Sequence, residues 1–185
     1  GCRFCESTKQ GLIRNLEPGE MIAQILEANK DLDSPNERSI RNIVLMGSGE
    51  PLDNYDNTIK FLKLLHEPEG WNMSYRNMTL STCGLVPAIR KLAGENIPLT
   101  LSISLHAPND DIRKQLMPVA SAYRVSEIIG AAKEYFEKTG RRVTFEYSLV
   151  RGINDSSENA AELAVKLKGF PCHVNVIDRK STRLN

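Results

Sequence analysis

The chain has 185 residues, a net charge of +1 and four cysteines, which together exclude several classes of protein. This length suits one domain with a sizeable core, and 41% apolar with 25% charged residues is typical of a soluble globular protein. The net charge shows no basic excess of the kind that nucleic-acid-binding domains carry. Four cysteines are too sparse for a secreted disulfide scaffold, and no signal peptide or membrane-length apolar run is present. We therefore expect a cytoplasmic protein with no membrane association.

In chain order, apolar runs that predict strands alternate with amphipathic stretches that predict helices. The predicted helices begin near Glu17 and then cover 55–66, 86–93, 110–116, 125–138 and 157–168, with Asn109 and Ser157 as N-caps of the fourth and the sixth. The predicted strands are 43–46, 77–81, 98–105, 142–150 and 172–177. This alternation predicts parallel strands joined by crossover helices.

A doubly wound sheet and a barrel both fit this order of elements. No G-x-G-x-x-G follows the first strand, which argues against a dinucleotide-binding sheet. Polar residues at the strand ends favour a barrel-like sheet, in which sites gather at the carboxyl ends of the strands. Residues 178–185 break the pattern, so we expect a core domain over 1–177 and a floppy or non-native tail.

The first five residues contain Cys2 and Cys5, with the aromatic Phe4 between them. Two thiolates at this spacing can bind one metal centre or form a redox pair, and two inert thiols are the third interpretation. A zinc ribbon needs a second pair, but Cys83 and Cys172 are far apart and are interpreted as small buried residues.

Polar groups follow three of the predicted strands. Gly49 and Glu50 come after the first strand, where glycine lets a ligand approach the main chain and a carboxylate can accept a hydrogen bond from an ammonium group. A plain strand-to-helix loop explains the same residues equally well. Ser81 and Ser104 end the next two strands, and hydroxyls there suit a ribose or a carboxylate. His106 is more simply explained as a structural residue than as a ligand.

These motifs carry a family resemblance. The opening residues resemble the end of C-x-x-x-C-x-aromatic-C, the cluster motif of radical S-adenosylmethionine (SAM) enzymes. The chain resembles one family of them in particular, the RlmN-type adenine-C2 methyltransferases of large-subunit rRNA and tRNA. The matching stretches, which follow the family's order, are 11–16, 46–57, 80–87, 102–110, 116–118 and 143–147.

The resemblance implies a partial (β/α)6 barrel that lacks its first strand, and two cofactors, a [4Fe-4S] cluster and SAM. Cys2 and Cys5 would be the second and third cluster ligands, and Glu50 with Gly49 would meet the amino group of SAM. The complete set of implied SAM-binding residues is Phe4, Gly49, Glu50, Ser81, Ser104, Leu105 and His106. The implied partners are rRNA, with tRNA as a further substrate, and an electron donor such as flavodoxin, for a monomeric enzyme.

The chain also departs from the family pattern. The first cluster cysteine, an N-terminal accessory domain, and the methyl-carrying and resolving cysteines are absent, and a SAM-binding asparagine is expected where Arg179 and Lys180 stand. We therefore expect a chain truncated at both ends, with no catalytic cysteine and no turnover. The alternatives are an adenine-C8 rRNA methyltransferase of the resistance type, a zinc or redox module that uses Cys2 and Cys5, and a poorly folding fragment with an exposed sheet edge.

Overall fold

All strands of the sheet run in the same direction. The computed structural model describes Arg3, Cys5 and residues 11–32 and 40–178. Within these residues the strands are β1 (Ile43–Leu45), β2 (Met78–Thr82), β3 (Thr100–Ser104), β4 (Thr144–Leu149) and β5 (His173–Asp178). They pair in the order β1-β2-β3-β4-β5, and each pairing is parallel. The five predicted strands are thereby confirmed, although most are shorter than the apolar runs.

The strand order decides between the two arrangements that fitted the sequence. A doubly wound sheet reverses its strand order at a switch point, whereas consecutive strands around a barrel keep theirs. The observed order does not reverse. The described sheet therefore forms the wall of a partial α/β barrel, as expected.

Helices connect the strands and cover one face of the sheet. In the described part of the chain they are α1 (Pro18–Lys30), α2 (Tyr55–His66), α3 (Val86–Ala93), α4 (Asp110–Leu116), α5 (Val125–Thr139) and α6 (Ser157–Leu167). Every predicted helix is confirmed. Buried residues of five of these helices share one cluster with the sheet, which places them on the same face. None of the described helices has the length and apolar character needed to cross a membrane.

The N-cap of α6 differs from the prediction by one residue. Ser156 has extended backbone angles, and its hydroxyl accepts a hydrogen bond from the Asn159 amide at 3.2 Å. Ser157, the predicted cap, is the first helical residue, and its hydroxyl donates to Glu158 at 3.1 Å. Only a residue outside the helix can direct its side chain back at the free amides of the first turn, and here that residue is Ser156.

Side chains alternate along the strands, so the sheet has an apolar face and a polar face. Leu101 and Phe145 belong to the core cluster that the helices share. Ser102 and Glu146 point to the other face, where the Ser102 hydroxyl donates to one Glu146 oxygen at 2.8 Å. The Asn175 amide nitrogen donates to the other oxygen at 2.7 Å. The face opposite the helices is therefore built for hydrogen bonding.

Two expectations about single residues are corrected. Asp178 pairs with Leu149 at the end of β5 and does not begin the tail; residues 179–185 lie outside the described part. Cys83 and Cys172 are half-buried, not buried. Cys83 lies in the loop after β2, and Cys172 precedes the edge strand β5, so neither is enclosed by two layers of structure.

A buried tyrosine provides a test of how the helix layer is joined to the sheet. The Tyr135 hydroxyl, on α5, lies 3.0 Å from the Leu99 carbonyl and 3.2 Å from the Ile97 carbonyl. We expect Tyr135→Phe to lower the free energy of unfolding by about 1 kcal/mol, since buried carbonyls lose their donor. Urea denaturation measures this, with Tyr123→Phe, a half-buried ring outside this contact, as the control. If both substitutions lowered the free energy of unfolding equally, the hydrogen bonds of the Tyr135 hydroxyl would not be a specific link between α5 and the sheet.

Candidate functional site

The loop after β1 is joined to the loop after β2 by Glu50. Its Oε1 accepts a hydrogen bond from the Leu52 amide at 3.0 Å, and its Oε2 accepts one from the Cys83 amide at 2.6 Å. Each carboxylate oxygen keeps a second lone pair after these bonds. Glu50 is thereby fixed at the carboxyl ends of β1 and β2 as an oriented acceptor, which fits a cationic ligand group.

Gly49 lies beside this acceptor in an exposed part of the loop. Its φ is +89°, a left-handed backbone conformation that glycine tolerates far better than other residues. A Cβ at this position would meet no atom within 4 Å. The conformation therefore requires glycine, and the space beside it is open to a ligand.

Arg3, which stands between the two cysteines of the C-x-x-C motif, is held at the same edge of the sheet. The Arg3 amide donates to the Leu116 carbonyl at 3.0 Å. Leu116 belongs to a small buried cluster with Met117 and Val150, against which Cys83 packs. Cys5 is half-buried, while Cys2 and Phe4 lie outside the described residues. The hydrogen bond from Arg3 places this residue next to the cluster formed with residues that follow β2 and β4.

Ser81 and Ser104 reach the polar face of the sheet. Ser81 lies near the end of β2 and is buried, and Ser104 ends β3 and is half-buried. Both share the alternation of Ser102, whose side chain is hydrogen-bonded on that face. The structure thus brings Glu50, Ser81 and Ser104 to the carboxyl end of one sheet, and their roles toward SAM stay predictions.

Leu105 and His106, which follow β3, are buried and hydrogen-bonded to β4. The Leu105 side chain is fully buried in the core cluster. The amides of Leu105 and His106 both donate to the Glu146 carbonyl at 3.1 Å. His106 has a φ of +57°, and its Nδ1 accepts a hydrogen bond from the Ser148 amide at 3.0 Å. These contacts join β3 to β4, and the roles of Leu105 and His106 toward SAM stay predictions.

Burial, followed by the nearby charge of Arg113, lowers the pKa of His106 to about 4. The ring is therefore neutral at physiological pH. This matches the accepting role of Nδ1, because an imidazolium has no free lone pair. The ring thus has a structural contact across to β4, and its role toward SAM stays a prediction.

Asn154 is a site residue that the sequence pattern did not single out. Its side-chain nitrogen donates to the carbonyls of His106 at 2.6 Å and Ser148 at 2.8 Å. Its side-chain oxygen accepts from the Val150 amide at 2.6 Å. The buried amide thus joins the exits of β3 and β4. The Gly-Ile-Asn-Asp turn that contains it was a usable signal, since asparagine in such a loop often bonds to the main chain.

Among the described residues, no group of three or more His, Cys, Asp and Glu side chains could hold a metal ion. The implied ligands Cys2 and Cys5 form an incomplete pair by themselves. Thiolates are nevertheless the donors that iron–sulfur clusters require, and Arg3, which stands between the two cysteines in the sequence, is hydrogen-bonded to Leu116 in the cluster against which Cys83 packs. The thiolate donors of Cys2 and Cys5 therefore fit an iron–sulfur cluster in chemical type.

The sequence model of the Radical SAM superfamily matches residues 1–164. The chain belongs to this superfamily. Membership implies a [4Fe-4S] cluster and SAM as its cofactors. It also agrees with the parallel sheet whose polar residues gather at the carboxyl ends.

The chain is also similar to individual radical SAM proteins. It is 54% identical over 177 residues to the probable dual-specificity RNA methyltransferase RlmN of Clostridium novyi (strain NT), with 96% of this chain and 50% of that protein covered. For the protein of the same name from Alkaliphilus oremlandii (strain OhILAs), the identity is 57% with the same coverage. The chain spans about half the length of the curated relatives it matches.

Solved structures support the fold. A radical SAM methyltransferase from Sphaerobacter thermophilus superposes with a TM-score of 0.90 at 49% identity, covering 95% of this chain and 51% of that one. SuiB of Streptococcus suis, bound to SAM, gives a TM-score of 0.64 at 18% identity, covering 98% of this chain and 38% of that one. The second likeness concerns the fold alone.

The buried His106 makes stability depend on pH. Its ordinary pKa is about 6.5, so between that value and its folded pKa of about 4 the unfolded chain takes up a proton that the folded chain does not. Stability therefore falls as pH decreases through this window, by about 3 kcal/mol at most. Urea denaturation at several pH values measures the slope.

His106→Asn serves as the comparison, because asparagine tolerates a positive φ and keeps an acceptor near Ser148. We expect the variant to lose the part of the slope that His106 causes, while other groups titrate equally in both proteins. Identical slopes in the two proteins would contradict a neutral buried ring.

Proposed function

We propose that the protein to which this chain belongs methylates C2 of an adenine in rRNA, with tRNA as a further substrate. The observation that carries the proposal is the identity of 52–57% over 177 residues with proteins named as dual-specificity RNA methyltransferases. The polar edge of the sheet supports it, since a SAM-dependent reaction needs a site with these hydrogen-bonding groups.

In this proposal Cys2 and Cys5 bind two irons of the cluster, and Phe4 lies with its main chain beside the adenine of SAM. The cluster and SAM, when bound, supply one-electron chemistry that side chains alone cannot provide. The protein binds and orients them. The hydrogen bond between Arg3 and Leu116 supports this arrangement, because it holds the residue between Cys2 and Phe4 at the edge of the sheet.

Glu50 has the central part in holding SAM. Its two oxygens each accept one main-chain amide, so the carboxylate is oriented before a ligand arrives. An ammonium group donates to such an acceptor through a charge-assisted hydrogen bond. Gly49 leaves the main chain accessible, and Ser81 and Ser104 offer hydroxyls to the carboxylate or the ribose. Leu105 and His106 complete the proposed pocket.

The remaining partners belong to the same proposal. An electron donor such as flavodoxin would reduce the cluster, and the enzyme would act in the cytoplasm as a monomer. The residues proposed for the cofactors lie within 1–177, which we take as the radical SAM core domain. The methyl-carrying and resolving cysteines are not among the 185 residues of this chain, so we expect no turnover by the chain alone.

The cluster proposal is tested by a pair of cysteine variants. We expect Cys5→Ser to remove most of the iron and sulfide that the chain takes up during anaerobic reconstitution, because a cluster needs thiolate ligands. Cys172→Ser is the matched control, since Cys172 is also half-buried but lies before β5. Iron and sulfide analysis with the absorption spectrum measures the outcome. Colourless protein with zinc and no sulfide would support the zinc or redox alternative.

The position of the methyl group tests the reaction. The chain extended to the full length of its relatives would be incubated with reductant, isotope-labelled SAM and unmodified rRNA, and the digested RNA analysed by mass spectrometry. We expect labelled 2-methyladenosine with the extended protein and none with the 185-residue chain. Labelled 8-methyladenosine would assign the protein to the C8 methyltransferases, and methylation by the short chain would refute its predicted inactivity.

A further inference from the structure

Arg113 joins the ends of β2 and β3. It lies on α4 with its side chain fully buried. Its Nε donates to the Leu105 carbonyl at 3.2 Å, and its Nη2 donates to the carbonyls of Cys83 at 2.7 Å and Ser104 at 3.3 Å. The planar guanidinium offers donors in a fixed fork, and here that fork holds main-chain oxygens of two strand exits.

The main chain at Cys83 is held from both sides. Its amide donates to Glu50 Oε2 at 2.6 Å, and its carbonyl accepts from Arg113 at 2.7 Å. An acidic and a basic side chain thus fix the two polar groups of one residue. Any rotation of this main chain would weaken both hydrogen bonds, so the position of the Glu50 carboxylate depends on Arg113.

Gly84 makes this arrangement possible. Its φ is +97°, and a Cβ there would stand 3.0 Å from Ile128 Cδ1 and 3.3 Å from Arg113 Nη2. A larger residue would push the guanidinium away from the Cys83 carbonyl. The glycine after Cys83 therefore serves the close approach of the guanidinium.

We propose that Arg113 is a positioning residue for the SAM site, which fixes the main chain at Cys83 and through it orients Glu50 toward the amino group of SAM. Arg113 itself is fully buried beneath the strand ends, so it would act on SAM through the main chain and Glu50. The inference rests on the proposed role of Glu50 and extends it by one residue. A lysine at 113 would keep the charge but could not hold carbonyls of both strand exits with the same planar fork.

The first test needs no cofactor. The amide proton of Cys83 donates to a carboxylate, which moves its NMR resonance downfield. Glu50→Gln should shift this resonance upfield, and Arg113→Lys should shift it in the same direction. Arg90→Lys is the matched control, because Arg90 also holds its partner, Glu134, with a fork of hydrogen bonds but lies exposed on α3. An unchanged Cys83 resonance in folded Arg113→Lys would overturn the inference.

The second test separates positioning from general stability. Equilibrium dialysis of the reconstituted chain would compare SAM with 5′-methylthioadenosine, which lacks the amino and carboxylate groups. We expect Glu50→Gln to weaken SAM binding about tenfold and Arg113→Lys about fivefold, with little change for 5′-methylthioadenosine. The double variant should be no weaker than Glu50→Gln alone, because both changes act through one contact.

The outcomes distinguish the two levels of the proposal. If Glu50→Gln weakens SAM binding but Arg113→Lys does not, the positioning role is wrong and the SAM site stands. If Glu50→Gln leaves SAM binding unchanged, the proposed role of Glu50 fails and the inference fails with it. Equal weakening of both ligands by Arg113→Lys would mean a general structural role and would also overturn the inference. If the chain binds neither SAM nor 5′-methylthioadenosine, the NMR test decides: an unchanged Cys83 resonance in Arg113→Lys would overturn the positioning role.

Discussion

Parallel pairing of consecutive strands is the constraint on which the rest of this structure depends. A chain that must begin each strand at the same edge has to return along the outside of the sheet, and an amphipathic helix makes that return with its apolar side inward. The shared core of strands and helices follows from this requirement. For the same reason, the carboxyl ends of all described strands lie together at one end of the sheet, where loops can differ in sequence without disturbing the core.

The strand exits are rigid because buried polar groups bind one another across strands. Asn154 bonds to the exits of β3 and β4, and His106 bonds across to β4 as well. A buried polar group without partners would be costly, whereas a satisfied network in a medium of low dielectric constant is strong. Such a network can hold ligand-binding groups in place before any ligand is present, which lowers the entropy lost on binding.

The sequence predicted the elements well because helices and strands have local signals. The periodicity of α5 and the cap at Asn109, whose side chain accepts the Ile112 amide at 3.0 Å, are both confirmed. The contacts of the site were much harder to predict. Arg113 and Cys83 are 30 residues apart, and Asn175 and Glu146 are 29 apart. Those pairs form only after the sheet has assembled, so no local pattern identifies them. Glu50 was singled out by its place directly after a buried strand, but its hydrogen bond to the Cys83 amide could not be predicted in the same way.

The uninterrupted strand order also has a consequence for how the chain can be made. Each new strand pairs with the strand that was synthesised just before it, so the sheet can grow by addition at one edge as the polypeptide leaves the ribosome. No strand has to wait for a distant segment before it finds its neighbour, which keeps the loops that must close short. The growing edge stays open until the next strand arrives, and β5 occupies that position among the described strands, with Val176 still largely exposed to solvent.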